Sequence, residues 1–230
     1  MNLVNPYLFA SGGGSTLLTG LWAWYEMAEA AAADNAVDAS GNGRTLTRVA
    51  NMTADATGAP DGGACRVGTS NVVAMSRSHE NVAFGNSITM SCWIRAVAGQ
   101  GNGTSLVMDQ NASNTYNLAI NFRGNPPAGV GRIYVNNAST SPTYTIAADT
   151  WYHIVMTYNA ATTVANVWWN GVKSANTVSG TPISTAGNLK LQTGGAGQKW
   201  TGIAVWTRVL SDAEIAELYN GGVNLRYADL

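Results

Sequence analysis

The residues of this chain that could do chemistry are few and lie apart in the sequence. Glycoside hydrolysis needs two carboxylates roughly 5–9 Å apart, which alternate acidic residues on one strand would supply. No such acidic run occurs: Glu26 and Glu29 lie near an alanine-rich stretch, and the other acidic residues lie singly in turns or near the C-terminus. His79 and His153 are the two histidines, and neither belongs to a nucleophile motif or to zinc-ligand spacing. We therefore predict a protein that binds and is not an enzyme, with His153 as a hydrogen-bonded structural histidine.

Residues 38–43 carry the first half of a calcium-loop pattern, which begins at Asp38. The glutamate that closes such a loop is absent, because Val49 occupies its position. Two readings stay open, a weak metal ligand at Asp38 and a tight turn between strands, and the missing glutamate favours the turn. The glycines at 12–14 have no lysine placed to reach a phosphate. The sequence therefore predicts no cofactor.

The aromatic residues are the most informative part of the composition. Eight Trp and nine Tyr outnumber three Phe, a bias towards rings that carry a polar group. Trp168 and Trp169 are adjacent on a predicted strand, so their side chains point to opposite faces. In one interpretation Trp168 is a sugar platform between Asn166 and Asn170. In the other, which we favour, both faces are covered, one by a second sheet and one by a loop or subunit.

The elements that would position these residues are strands. Residues 88, 90, 92 and 94 are apolar, while Thr89, Ser91 and Arg95 take the other face, and a period of two predicts a half-buried strand with Cys92 as a small buried residue. Glycine, asparagine and proline clusters separate further runs of this kind, which is typical of a single sandwich or barrel. These runs cover residues 105–110, 116–122, 131–136, 143–147, 151–158, 164–170, 189–192 and 200–209.

A short helix is predicted near the C-terminus. Ser211 and Glu214 form a capping box, and an apolar stripe from Ile215 to Tyr219 follows. Gly221 supplies a left-handed stop. We expect this helix to pack on the end of the sandwich. Residues 28–33 are rich in alanine but too few for a helix without tertiary support.

Charge and hydropathy exclude several classes of partner. Charged residues make up 11% of the chain, against about 25% in an average soluble domain, and the net charge is −1. No cluster of Lys or Arg is present, which argues against nucleic acid and against an anionic membrane. The first residues do not resemble a secretory signal, and no apolar run reaches the roughly 18 residues of a membrane span. Cys65 and Cys92 are predicted to be free thiols.

Several segments resemble, in order, the laminin-G-like/concanavalin A-like jelly-roll family. They are residues 20–26 with 38–43, 88–94, 151–158 with 167–171, and 202–220. The resemblance implies an all-β, two-sheet antiparallel jelly-roll sandwich with one short C-terminal helix. This fold hosts lectins, glycosidases, adhesion modules and virion proteins. The family's closing strand often carries an acid tied to a structural calcium, and residues 202–206 lack that acid.

Residues 1–14 are predicted to form an extended arm before a single domain over 15–230. Pro6 favours an extended backbone, Tyr7 and Phe9 can anchor it, and this start resembles those of tailed-phage structural proteins. Our leading hypothesis is a virion accessory protein, a capsid decoration or tail-associated jelly roll, assembled as a homo-oligomer in the host cytoplasm without a signal peptide. Its arm would dock on other virion proteins. The alternative is a lectin-like adhesion module that uses Trp168 to bind a cell-surface glycan, and a glycosidase comes third.

Overall fold

The computed structural model describes residues 15–31, 34–78, 86–98, 104–110, 116–123, 129–139, 144–182 and 187–230. In chain order the strands of this part are β1 (Leu21–Tyr25), β2 (Thr47–Arg48), β3 (Met52–Asp55), β4 (Cys65–Gly68), β5 (Asn71–Ser78), β6 (Ile88–Arg95), β7 (Thr104–Gln110), β8 (Tyr116–Arg123), β9 (Gly129–Val135), β10 (Ala138–Ser139), β11 (Tyr144–Ile146), β12 (Trp151–Asn159), β13 (Val164–Trp169), β14 (Val172–Lys173), β15 (Val178–Ser179), β16 (Asn188–Gly194) and β17 (Lys199–Trp206).

The helices of the described residues are short. The α-helix α1 covers Asp212–Tyr219, and single 3-10 turns cover Thr16–Leu18, Asn220–Gly222 and Tyr227–Asp229. None of them has the length and apolar character that crossing a membrane requires.

The described strands form two antiparallel sheets that face each other. Sheet 1 has the order β14-β13-β12-β6-β17-β4-β3, with β1 paired to β17 and β15 paired to β13. Sheet 2 has the order β10-β9-β8-β7-β16-β5-β2, with β11 paired to β9. Non-consecutive neighbours such as β6 and β17 show that the chain crosses repeatedly between the sheets. The predicted fold class, a two-sheet jelly-roll sandwich with one short helix near the C-terminus, is confirmed.

The space between the sheets is filled by alternate residues of the strands. On β6 the side chains of Ile88, Met90, Cys92 and Ile94 all belong to the shared core, as the period of two predicted. Strand β12 pairs with β6 along its length and sends its own alternate residues into the same core. Cys92 is buried and free, which confirms its prediction as a small core residue.

The outer face of sheet 1 is also buried, which corrects the prediction that β6 is half-exposed. Thr89 and Ser91 lie on this face and are both buried. The face is covered by an apolar cluster that joins helix α1 and the 3-10 turn at Thr16–Leu18 to the sheet. Its buried members are Leu17, Trp24, Val155, Trp168, Ala204, Trp206, Leu210, Ile215 and Leu218. Helix α1 therefore packs on the face of the sandwich and not, as expected, on its end.

The start of α1 has the predicted capping box. The Glu214 amide donates to Ser211 Oγ, and the Ser211 amide donates to Glu214 Oε2 at 2.8 Å. Arg208 donates two hydrogen bonds to the same carboxylate and lowers the pKa of Glu214 to about 2. The left-handed stop begins one residue earlier than expected, at Asn220 with φ of 47°, and Gly221 continues it with φ of 65°.

The alanine-rich stretch is not helical in its described part, residues 28–31. The buried guanidinium of Arg66 on β4 holds this excursion against the sheet. It donates to the Ala31 carbonyl oxygen at 2.7 Å and pairs with Glu29 at 3.3 Å. Tertiary contacts therefore decide the conformation of this stretch over its high helix propensity.

Truncating the N-cap hydroxyl should loosen helix α1. We expect Ser211→Ala to lower the free energy of unfolding by about 1 kcal/mol, because the Glu214 amide loses its acceptor. Urea denaturation followed by tryptophan fluorescence measures the change. Ser139→Ala, at an exposed position of β10, is the matched control and should leave stability unchanged. An equal effect of both variants would contradict the capping role.

Candidate functional site

A surface depression of about 340 Å³ lies where edge strands of the two sheets approach each other. Strand β11 forms one side of it and belongs to sheet 2, while β14 and the segment after it form the other side and belong to sheet 1. We call it the Tyr144 depression, and it is lined by Tyr144, Trp169, Val172, Lys173, Ser174, Ala175 and Asn176.

The centre of the depression is an exposed phenol ring with a fixed orientation. Tyr144 is 37% exposed and stacks on Trp169, with ring centroids 5.3 Å apart and an interplanar angle of 13°. Tyr152 meets the same ring edge-on at 5.6 Å. Two ring contacts from the core therefore hold Tyr144 flat against Trp169, and the ring keeps part of its surface open to solvent.

The position of Trp169 depends on a close approach of β9. Its indole lies over Gly131, and a Cβ atom added at residue 131 would collide with the benzo ring of Trp169. Phe122 on β8 contacts the indole edge-on at 6.1 Å. Glycine at 131 therefore lets the indole fill the gap between the sheets, and Tyr144 stacks on the surface that results.

The other side of the depression is a tight hairpin with exposed small side chains. Asn170 and Gly171 join β13 to β14 with positive φ angles of 49° and 76°, as two-residue hairpins require. Val172 follows and is 70% exposed. The Asn176 amide then donates to Ser174 Oγ at 3.1 Å, which fixes the turn that brings the exposed Asn176 to the rim. The hairpin thus supplies methyl groups, a hydroxyl and an amide.

Lys173, the charged residue among the described lining residues, directs its charge away from Tyr144. Lys173 pairs in register with Trp168, so both side chains lie on the outer face of sheet 1. The Lys173 ammonium lies 4.8 Å from the Trp168 ring centroid and 3.9 Å from Asp212 at the start of α1. The aromatic part of the depression is therefore uncharged.

Trp168 does not form the open platform considered from the sequence. It is 4% exposed, and Lys173 and the cluster under α1 cover it. Asn170 uses its Oδ1 atom to accept from the His153 amide, while Asn166 is only partly exposed. The sugar platform of Trp168, Asn166 and Asn170 is therefore corrected. The alternative, in which both faces are covered, describes the structure, with helix α1 as the cover.

Asp38 organises its own turn. Its carboxylate accepts from the amides of Trp24 and Arg44 and from the Ser40 hydroxyl, at 3.1, 2.9 and 2.6 Å. The side chain is buried. Within the described residues no three acidic, histidine or cysteine side chains come together as a metal site would need. The tight-turn interpretation of residues 38–43 fits these contacts.

The other acidic residues considered from the sequence, the arm residues and His79 either form ion pairs or lie outside the described residues. Glu26 pairs with Arg226 at 2.9 Å, and Glu29 pairs with the buried Arg66. The proposed arm residues Pro6, Tyr7 and Phe9 lie outside the described residues, as does His79.

His153 is a buried structural histidine, as predicted. Its Nε2 atom lies 2.9 Å from Ser91 Oγ, and its Nδ1 atom has no hydrogen-bond partner in the described part of the chain. The ring contacts Trp93 at 4.9 Å and Tyr219 of α1 at 6.0 Å. Burial lowers the pKa of His153 to about 3, so the imidazole is neutral at physiological pH.

This neutral histidine should make the fold sensitive to acid. An unfolded histidine has a pKa near 6.5, so the unfolded state binds a proton first as the pH falls. The stability contribution is complete above pH 6.5 and is lost as the pH falls towards the folded pKa of about 3. Between pH 7 and pH 5 we expect this residue to remove about 2 kcal/mol from the free energy of unfolding.

Urea denaturation at pH 7, 6 and 5 measures this loss, with His153→Gln as the matched non-titrating variant. The wild type should lose more stability than the variant over this range. Parallel pH profiles would show that the burial of His153 does not carry the effect.

Comparison with known proteins identifies the family. The sequence model described as the concanavalin A-like lectin/glucanases superfamily, Laminin_G_3, matches residues 66–216, about two thirds of the chain. The chain therefore belongs to this superfamily. A search of proteins with curated function finds no match.

Solved structures share the fold at low sequence identity. The binding domain of Paraclostridial mosquitocidal protein 1 aligns with a TM-score of 0.62 and 17% identity, over 90% of this chain and 53% of that one. The receptor-binding domain of botulinum neurotoxin type G aligns with a TM-score of 0.61 and 13% identity, over 87% of this chain and 51% of that one. Trypanosoma rangeli sialidase bound to the inhibitor DANA aligns with a TM-score of 0.66 and 16% identity, over 94% of this chain and 34% of that one. This chain thus spans about half of each toxin domain and a third of the sialidase.

Proposed function

We propose that this chain is a non-catalytic adhesion domain that binds a carbohydrate in the Tyr144 depression. The observation that carries the proposal is the exposed Tyr144 ring, held flat on Trp169 beside a rim of hydroxyl and amide groups. A pyranose ring has one face of C–H groups and a rim of hydroxyls, so it complements an aromatic surface flanked by polar groups.

The fixed ring favours binding because little conformational freedom is lost. Tyr144 already has two aromatic neighbours in the core, Trp169 and Tyr152, so its rotamer is set before a ligand arrives. A monosaccharide has roughly 12–15 non-hydrogen atoms, and about −0.3 kcal/mol per atom gives a Kd on the order of 1 mM. Useful adhesion would then come from several copies acting together.

The comparisons support a binding role at the level of the fold. The two toxin structures are named as a binding domain and a receptor-binding domain, and both align over nearly all of this chain. Two acidic residues near the opening strand, Glu26 and Glu29, are held by arginines. These ion pairs support a role without paired-carboxylate catalysis.

Removing the Tyr144 ring should remove carbohydrate binding. We expect Tyr144→Ala to abolish glycan-array signals of the wild type, because the stacking surface is lost. Tyr144→Phe keeps the ring, so it should retain most of the binding and separates stacking from a hydroxyl contact. Thermal unfolding checks that both variants fold. Unchanged array signals in Tyr144→Ala would rule out this depression as the site.

We also propose that the domain is carried on a virion, where its N-terminal arm docks on capsid or tail proteins. The contacts of Ser15, which directly follows the arm in sequence, bear on how this role would combine with sugar binding. The Ser15 amide donates to the Leu230 carbonyl oxygen, and Ser15 Oγ donates to Glu217 of α1 at 2.8 Å. Ser15 lies beside α1 and is not among the residues that line the Tyr144 depression, so we expect docking and sugar binding to use different residues.

The arm proposal predicts a specific loss. In the full chain, Tyr7→Ala with Phe9→Ala should abolish co-sedimentation with particles that lack the protein, because the aromatic anchors are gone. Glycan binding should be retained, since the depression is unchanged. Undiminished docking of the double variant and of a chain without residues 1–14 would refute the arm's role.

A further inference from the structure

We propose that the ligand of the Tyr144 depression is an uncharged sugar that carries an N-acetyl group. This inference rests on the proposed carbohydrate-binding function and assigns the class of sugar. It follows from two features of the lining, the direction of its charge and the type of its exposed side chains.

The first feature disfavours an acidic sugar. A carboxylate that leaves water needs a cationic or multiple hydrogen-bond partner. Lys173 is the cation of the lining, and it lies on the outer face of sheet 1, over Trp168 and beside Asp212. Tyr144 and Trp169 lie on the inner side, where the described lining residues offer a carboxylate no ammonium or guanidinium group. The aromatic surface therefore selects a neutral ring.

The second feature favours an acetamide substituent. Val172 pairs in register with Trp169, so its side chain lies on the same face as the indole on which Tyr144 stacks. Val172 is 70% exposed, and the exposed Ala175 lies in the same lining. A hexose hydroxyl would leave these methyl groups in water, whereas an acetamide methyl would cover them.

The polar groups beside these methyls match the rest of the acetamide. An acetamide has one N–H donor and one carbonyl acceptor. The exposed Asn176 side chain carries both complementary groups, and the Ser174 hydroxyl lies next to it in the turn. One rim segment, residues 172–176, therefore offers apolar contact and amide pairing together.

Burial of the acetyl methyl should increase the affinity by a measurable factor. Burial of one methyl-sized group contributes about 0.8 kcal/mol, which corresponds to about a fourfold change in Kd. We expect N-acetylglucosamine or N-acetylgalactosamine to bind at least fourfold more tightly than the parent hexose. Glucuronic acid should bind no more tightly than glucose.

NMR titration of the full chain with these monosaccharides tests the inference. Val172→Thr keeps the shape of the side chain but exchanges a methyl for a hydroxyl, so it should weaken binding of the N-acetyl sugar more than binding of the hexose and thereby reduce the preference. Val37→Thr, at a position that is 57% exposed elsewhere on the surface, is the matched control and should keep the preference. Both positions are exposed, so the two variants should unfold at the wild-type temperature.

The outcomes separate this inference from the function on which it rests. Equal affinities for the hexose and its N-acetyl form, or an unchanged preference in Val172→Thr, would overturn the N-acetyl assignment while carbohydrate binding stands. Tighter binding of glucuronic acid that is lost in Lys173→Gln would overturn the uncharged assignment. If no sugar shifts the resonances of residues 144 and 172–176, both the inference and the proposed function fail.

Discussion

Sheet 1 is apolar on both of its faces, and the fold depends on how the outer face is covered. The inner face meets sheet 2 in the shared core, as in any sandwich. The outer face carries Trp24, Trp168 and Trp206, which would expose a large apolar surface without a partner. Helix α1 supplies that partner through Ile215 and Leu218, and burying each such side chain contributes about 2 kcal/mol.

Polar contacts fix the helix in this position. The Trp206 indole donates to the Leu17 carbonyl oxygen at 2.7 Å, which ties the first turn of the described chain to the last strand. Arg208 links the same turn to Glu214, because it donates to the Thr16 carbonyl oxygen as well as to the carboxylate. The first and the last described segments are therefore joined on one face. Since that face is closed, an open aromatic surface has to lie elsewhere.

Much of the fold could be predicted from local sequence patterns, because each pattern reports a local physical preference. The period of two in β6 and the capping box at Ser211 both predicted elements that the structure contains. Strands β3, β4 and β5 were not predicted, since their pattern is interrupted by polar residues and by the fully buried Arg66. Exposure was predicted less well than secondary structure, because Ser91, expected on an exposed strand face, is buried on the face that a helix distant in sequence covers.

The same reason explains why the sequence left two interpretations of Trp168 open and did not single out Tyr144. Adjacent Trp168 and Trp169 must face opposite ways, but the sequence does not say which structural layer lies on each side. Tyr144 lies in a predicted strand, yet its exposure depends on the edge position of β11, which only the pairing of β11 with β9 reveals. Glycine at 131 was a local signal for close approach, since a glycine within a strand often marks one, but its partner Trp169 is distant in the chain.

The Tyr144 depression lies at an edge of the sandwich, where its aromatic surface belongs to the core and its rim does not. Tyr144 takes its orientation from Trp169, Tyr152 and, through Trp169, from Gly131, so the stacking surface is as rigid as the core beneath it. Residues 172–176 belong to a hairpin end whose exposed side chains contribute little to that core. Substitutions in this rim can change which groups meet a ligand while the aromatic surface stays in place. The rigid ring would thus provide affinity for sugars in general, and the variable rim would determine which sugar is bound.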